Sequence, residues 1–294
     1  MQRIESASRH QSSASRSQSR SLLEYQNTFR HITNRSTLFP ESKEVQIRLI
    51  VEYDGTCYHG WQRQPLVPTI QGVVENSLQQ IIQQDTPVVA AGRTDAGVHA
   101  VAQVASFRVD GAHSHRDWRY VLNRLLPADI SVRLAEPVGN DFHPRFSART
   151  KRYEYRILNR RERSGLAWNR RWHIWQTLSV QDMQEAAKRF CGMHDFTSFR
   201  CMPTQTQDTI CTVVSCKVIK EGDEIVLTVE ADRFLKQMVR VIVGTCVDVG
   251  AGKISASSIS DILEARDRCQ SGRTAPPHGL YLMNVTYDGW CSGV

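Results

Sequence analysis

A series of strands and helices begins near Val45, and its order recurs after about residue 150; this repetition limits the possible folds more than any other feature. Val45 to Tyr53 alternates well enough for a strand. Thr69 then stands where a helix cap belongs, ahead of Ile70, Val73, Val74, Leu78, Ile81 and Ile82 at helical spacing. Strands are expected around 88–91 and 101–109, and a helix near 118–126. In the second round, 152–158 reads as a strand, and Ser179 with Asp182 as the capping-box start of a helix through Phe190. Segments 210–219 and 224–230 form a hairpin across Glu221-Gly222-Asp223. A buried helix from Phe234 to Val249 stops at Gly250, and a strand over 280–287 closes the chain. The architecture these elements imply is α+β: two similar halves, 43–150 and 151–294, with a cleft between them.

Residues 1–42 differ from the rest. The run Ser12-Ser13-Ala14-Ser15-Arg16-Ser17-Gln18-Ser19-Arg20-Ser21 has too few large apolar side chains to build a core, so a disordered extension is expected. Its composition is somewhat like a transit peptide, against which Glu5 and Glu24 count. A cytoplasmic setting is the expectation, with a plastid or mitochondrion as the alternative if the extension is such a peptide. The chain carries a net charge of +7, which fits a polyanionic partner but is also an ordinary solubility device. Eight cysteines contain no C-x-x-C pair and no His at zinc-like spacing, so free thiols are expected and a structural metal is not. The most apolar segment, 238–249, is interrupted by Arg240 and Asp248, which argues against a membrane span.

Chemistry concentrates in Ala90-Ala91-Gly92-Arg93-Thr94-Asp95-Ala96-Gly97-Val98-His99. A short strand runs into a tight loop in which a carboxylate follows an arginine by two residues, between glycines that permit close approach of a ligand. An accessible aspartate kept ionised beside a guanidinium is a fit nucleophile; the plain alternative is an Asp-Gly turn. Four further segments accompany it in order. Tyr53-Asp54-Gly55 leads into Tyr58-His59-Gly60-Trp61-Gln62-Arg63-Gln64, and Asp141-Phe142-His143-Pro144-Arg145-Phe146-Ser147-Ala148 precedes Lys151-Arg152-Tyr153-Glu154-Tyr155. Phe234-Leu235-Lys236-Gln237-Met238-Val239-Arg240 opens the late helix, and Ala275-Pro276-Pro277-His278-Gly279-Leu280-Tyr281-Leu282 enters the last strand.

This ordered set closely resembles the TruA family of tRNA pseudouridine synthases, from about Val45 to Tyr287. The resemblance implies a central antiparallel sheet flanked by helices, a homodimer, and an isomerase acting at positions 38, 39 and 40 of the tRNA anticodon arm. It implies no cofactor or nucleotide, and the chain holds neither a P-loop nor Gly-x-Gly-x-x-Gly. Asp95 aligns with the family's catalytic aspartate, which attacks C1′ or removes the C2′ proton. Arg93 resembles the arginine that turns the target nucleotide out of its stack. Tyr153 aligns with the active-site tyrosine that stacks on the uracil and can assist proton transfer. Arg240, charged within an apolar helix, needs a carboxylate partner, and the resemblance supplies Asp95. His59, Trp61, Arg63, His143 and Arg145 are expected along the RNA path, with Arg160, Arg161, Arg163, Arg170 and Arg171 as weaker candidates.

Three alternatives remain beside this reading, one of them a relative within the same enzyme class that modifies other uridines or other RNAs. A non-catalytic tRNA-binding or RNA-chaperone protein of the same fold has no use for Asp95, Arg93, Tyr153 and Arg240 together. An aspartate-dependent glycosidase would need two carboxylates flanking one bond, and only one stands in a motif.

Overall fold

The computed structural model describes residues 44–202 and 207–293, so the extension over 1–42 lies outside the described residues. The first half supplies β1 (Val45–Tyr53), α1 (Ile70–Ile82), β2 (Val89–Ala90), β3 (His99–Val109), α2 (Trp118–Leu125) and β4 (Ile130–Val138). The second supplies β5 (Thr150–Asn159), β6 (Trp172–Ile174), α3 (Val180–Lys188), β7 (Gly192–Asp195), β8 (Ile210–Glu221) and β9 (Glu224–Ala231). It continues through α4 (Met238–Gly250), α5 (Ile259–Ala265), β10 (Leu280–Tyr287) and β11 (Trp290–Cys291). These strands build one eleven-stranded sheet with main path β4-β1-β3-β10-β5-β9-β8-β7, mostly antiparallel, in an α+β fold.

Local chemistry explains the first helix. The Thr69 side chain accepts from the Gly72 amide, filling one of the four donors a helix start leaves open. Ile70, Val74 and Leu78 are fully buried, while Val73, Ile81 and Ile82 flank them half-buried. The Ser179 hydroxyl caps α3 in the same way, accepting from the Asp182 amide. α3 packs on β8 and against α4.

Beyond the further elements β6, β7, β11 and α5, the structure departs from the sequence reading at β4 and at the start of α4, and it shows where β10 lies in the sheet. β4 is an unexpected strand, pairing with β1 at the sheet edge, where Pro137 opposite Ile47 can be accommodated. α4 starts at Met238 rather than Phe234, because Gln237 adopts a left-handed φ of 59° that a continuing helix cannot contain. The last long strand lies where the sequence reading places it, over Leu280–Tyr287, and its place in the sheet is central. β10 enters the middle of the sheet, parallel to β3 (Tyr281 opposite His99) and antiparallel to β5 (Leu282 opposite Tyr153). It is therefore the seam between the two halves, and Ala100, Leu282 and Tyr153 lie in register across it.

Every residue of α4 except Arg240 is buried. Its closest neighbour is main chain: a Cβ on Gly244 would stand 1.7 Å from the Arg273 carbonyl oxygen. Gly244→Ala should therefore destabilise the protein by about 2 kcal/mol or more, outweighing the roughly 1 kcal/mol of helix propensity that alanine offers. Gly165→Ala, where a Cβ meets nothing within 4 Å, should stay within about 0.5 kcal/mol. Parallel thermal melts check this; equal midpoints for the two variants would refute the packing argument.

Candidate active site

The loop between β2 and β3 is held on several sides. β2 pairs with β3 at Val89–Ser106 and Ala90–Ala105, and the Ala91 amide donates to the Val104 carbonyl (2.8 Å). Facing it, the Trp61 amide donates to the Thr94 carbonyl (3.1 Å). That approach requires Gly60, which sits at φ 88° and whose Cβ would lie 2.5 Å from the same oxygen.

Buried polar side chains fix the loop from behind. The Tyr53 hydroxyl and Thr94 Oγ1 share a hydrogen bond at 2.8 Å, and Gln103 Nε2 donates to the Gly92 carbonyl at 2.8 Å. All three side chains are buried, so each bond exchanges no water once formed. The residues on either side of Arg93 are thereby pinned, while Arg93 itself is exposed and has no carboxylate partner among the described residues. Sequence reasoning missed this rack; Thr94 stood inside the motif, but nothing in the string says which hydroxyl it meets.

Asp95 is 34% exposed, and its Oδ2 lies 3.0 Å from Nη1 of Arg240, itself 12% exposed. Arg240 Nε also donates to the Ala275 carbonyl at 2.7 Å, which satisfies a second face of the guanidinium. Asp95 Oδ1 has no hydrogen-bond partner among the described residues, so one oxygen is held and the other is open. Tyr153 projects from β5 beside them, buried, with its ring edge-on to Phe234 at 5.0 Å. Burial, with Tyr53 and Asp95 adding to it, pushes the Tyr153 hydroxyl far above the usual tyrosine range, and it stays protonated at neutral pH.

The remaining candidates are placed unequally. Trp61, expected along the RNA path, is 2% exposed and packs against Tyr53 in the core, so no ring face is left for a base. Arg63 is committed to the buried carboxylate of Glu75 at 2.9 Å, a pin between α1 and its entry loop. His143 accepts from the amides of Arg145 and Phe146, a turn-forming role. His59 and Arg145 are exposed, the latter with its guanidinium 5.6 Å from the Phe146 ring.

The loop's other end is anchored by a cluster the sequence did not reveal. Buried His99 stacks on Tyr281 at 4.7 Å. Its Nε2 faces the carbonyls of Asn169 and His278, both at 3.1 Å, and so carries the proton, while Nδ1 accepts from the Gly55 amide. Asp54 lies 2.9 Å from Nδ1 and pairs with Arg170 at 2.7 Å. Burial lowers the His99 pKa, the neighbouring carboxylate opposing without reversing it.

The chain matches the family model described as tRNA pseudouridine synthase over residues 49–147 and 186–288. It is 42% identical over 241 residues to the tRNA pseudouridine synthase A of Thermoanaerobacter sp. (strain X514), covering 82% of this chain and 99% of that protein. The Geotalea daltonii protein of the same name is 45% identical over 241 residues (82% and 99%). That of Pseudoalteromonas atlantica is 44% identical over 243 residues (83% and 92%). A solved H/ACA RNP bound to a substrate RNA superposes with a TM-score of 0.32 at 13% identity, over 68% of this chain and 44% of that one, too loosely to argue from.

Two predictions follow from this geometry. Tyr53→Phe and Thr94→Val each remove one partner of a buried hydrogen bond and should cost about 1–2 kcal/mol. The double variant should cost much less than the sum, and additive losses in denaturant titrations would show that the two hydroxyls do not serve one bond. For His99, the folded pKa lies below the usual 6.5, so the folded protein binds fewer protons here than the unfolded chain. Stability is therefore intact above that value and lost as pH falls from 6.5 through the lower folded pKa. His99→Gln should narrow the stability gap between about pH 7.5 and 5.5; an unchanged gap would place the acid sensitivity elsewhere.

Proposed function

The chain belongs to the tRNA pseudouridine synthase family and is an isomerase acting on tRNA, and from that premise we propose that it works at positions 38, 39 and 40 of the anticodon arm with Asp95 as its nucleophile. The observation that carries this reading is the half-exposed carboxylate with one oxygen tied to Arg240 and the other open. An anion so held needs no reorganisation when an electrophilic carbon arrives.

The target uridine is stacked in the arm, so its C1′ and C5 cannot reach a fixed carboxylate until the nucleotide is turned out. Arg93 is the residue proposed for that step: its loop is pinned by hydrogen bonds on both sides, while its own side chain is exposed and has no carboxylate partner among the described residues. Oδ1 of Asp95 then attacks C1′, and the N1–C1′ bond breaks with its electron pair leaving on the uracil. The base turns, C5 bonds to C1′, the bond to Asp95 breaks, and the proton on C5 is lost while N1 gains one. Atoms balance without a cofactor or co-reactant.

Tyr153 lines the space for the turned base. Its high pKa argues that the hydroxyl acts as a neutral group and that the ring supplies the contact, because a phenolate beside Asp95 would be costly.

The test is pseudouridine mapping on an unmodified tRNA bearing U38, U39 or U40, with wild type and Asp95→Ala side by side. Conversion by wild type alone supports the reading; Asp95→Ala should lose at least about 10³-fold in rate, the scale on which removing a principal catalytic group acts. Conversion by both proteins would remove Asp95 from the chemistry. Binding without conversion by either would favour an RNA chaperone of the same fold. Tyr153→Phe should lose far less than Tyr153→Ala if the ring rather than the hydroxyl is what the base needs.

A further inference from the structure

One cation beside the loop has no role in the chemistry above. Lys151 precedes Tyr153 by two residues on β5, and alternation along a strand puts both on one face. Its stem lies against the catalytic loop: a Cβ on Gly92 would stand 3.5 Å from Lys151 Cε and 3.8 Å from Cδ. Gly92 is the residue directly before Arg93, so the Lys151 stem packs beside the loop segment that carries Arg93 and Asp95.

Its surroundings differ from those of the ion-paired basic side chains. Arg63 has Glu75, Arg149 has Asp288, Arg156 has Glu154 and Arg171 has Glu224. The Lys151 ammonium has no hydrogen bond or ion pair with any described residue, although the side chain is half-buried. Burial lowers its pKa and the charge of Arg145 lowers it further; the opposing pull of Asp232 is weaker. The Asp232 carboxylate instead accepts from the amides of Thr212 and Arg233. Arg145 and Arg93 also lack carboxylate partners among the described residues. The negative charge of Asp95 is already taken by Arg240. A partly desolvated ammonium without an anion is unfavourable in the free protein, and a substrate that carries the anion removes that cost on binding. An ammonium acts as a point charge toward phosphate, whereas base edges are read by forked or planar donors.

We propose that Lys151, with Arg145 beside it, binds a backbone phosphate of the RNA strand next to the nucleotide received by Asp95. The site rests on the tRNA-modifying reading above. It makes Lys151 a substrate-binding residue that locates the strand while Arg93 acts on the base.

The experiment measures binding of unmodified tRNA by the full chain over a salt series, for wild type, Lys151→Met, Lys151→Gln and Lys151→Arg. One phosphate contact contributes about 0.7–0.9 to the slope of log affinity against log salt. Both neutral variants should lose that much slope and bind several-fold more weakly at low salt, while Lys151→Arg keeps the slope. Thermal midpoints of the neutral variants should equal or exceed that of wild type, since an unpartnered, partly buried charge has been removed. An unchanged slope in both neutral variants overturns the proposal, whether or not the conversion rate falls with it. Conversion by wild type, assayed alongside, keeps the two readings apart. Lost slope with no conversion by wild type leaves the phosphate site standing and removes the enzyme reading. A wild type that does not bind tRNA removes both.

Discussion

Arg240 reaches Asp95 from a helix 145 residues further along the chain, and the contact is made where neither partner is fully solvated. Such a pair is stable only if the donors not facing the carboxylate are also satisfied. Here the Ala275 carbonyl takes Nε, so one guanidinium joins the Asp95 loop, the buried helix and the segment that leads into the seam strand. A lysine could not do this, because its ammonium lacks the planar fork that serves two acceptors in fixed directions. The left-handed turn at Gln237 belongs to the same arrangement. By delaying the helix to Met238 it keeps Arg240 in the first turn and leaves Phe234 free to pack edge-on against Tyr153.

Placing a half-exposed carboxylate on a loop at a sheet seam has a structural cost, and the surrounding residues are arranged to meet it. A loop carries main-chain donors and acceptors that a strand would pair. In this one, Gly92 and Thr94 find partners in Gln103, Tyr53 and Trp61, and the far end is taken up by His99 and its two carbonyls. Most of these partners come from β1 and β3 or the turn after β1. Tyr153 and Arg240 come from the other half. The site thus needs β10 between the halves, because that strand sets the register of β3 against β5.

The elements whose packing follows from their own periodicity could be read from the string: α1 with its Thr69 cap, the β8–β9 hairpin, and the apolar body of α4. β4 was obscured by Pro137, which speaks against a central strand and is harmless at an edge; whether a strand is an edge is not a local property. The insertion of β10 was illegible for the same reason. At the site, motif residues could be named, but their burial could not. A tryptophan and an arginine in a polar loop both read as RNA contacts; the fold places Trp61 in the core, and it pairs Arg63 with Glu75 while leaving that arginine more than half exposed. Both outcomes depend on α1 folding back over the loop, a contact between segments that no window of sequence contains.

The net charge of +7 acquires meaning once the ion pairs are located. Basic side chains that hold the fold together are matched, as Arg48 is by Glu136, Arg171 by Glu224 and Arg273 by Asp248. Such pairs contribute little field at a distance. Arg93 and Lys151, which flank Gly92, and Arg145, close enough to perturb Lys151, have no such match among the described residues. A uniform excess of positive charge would draw a polyanion to any face of the molecule. Arg93, Lys151 and Arg145 place part of that excess around the loop that carries the open carboxylate oxygen, and they do so without neutralising the carboxylate, because Arg240 is the cation in contact with it. For the function proposed above, the arrangement would separate two demands that oppose each other electrostatically: attraction of a phosphate backbone and retention of an anion to act on the sugar that backbone carries.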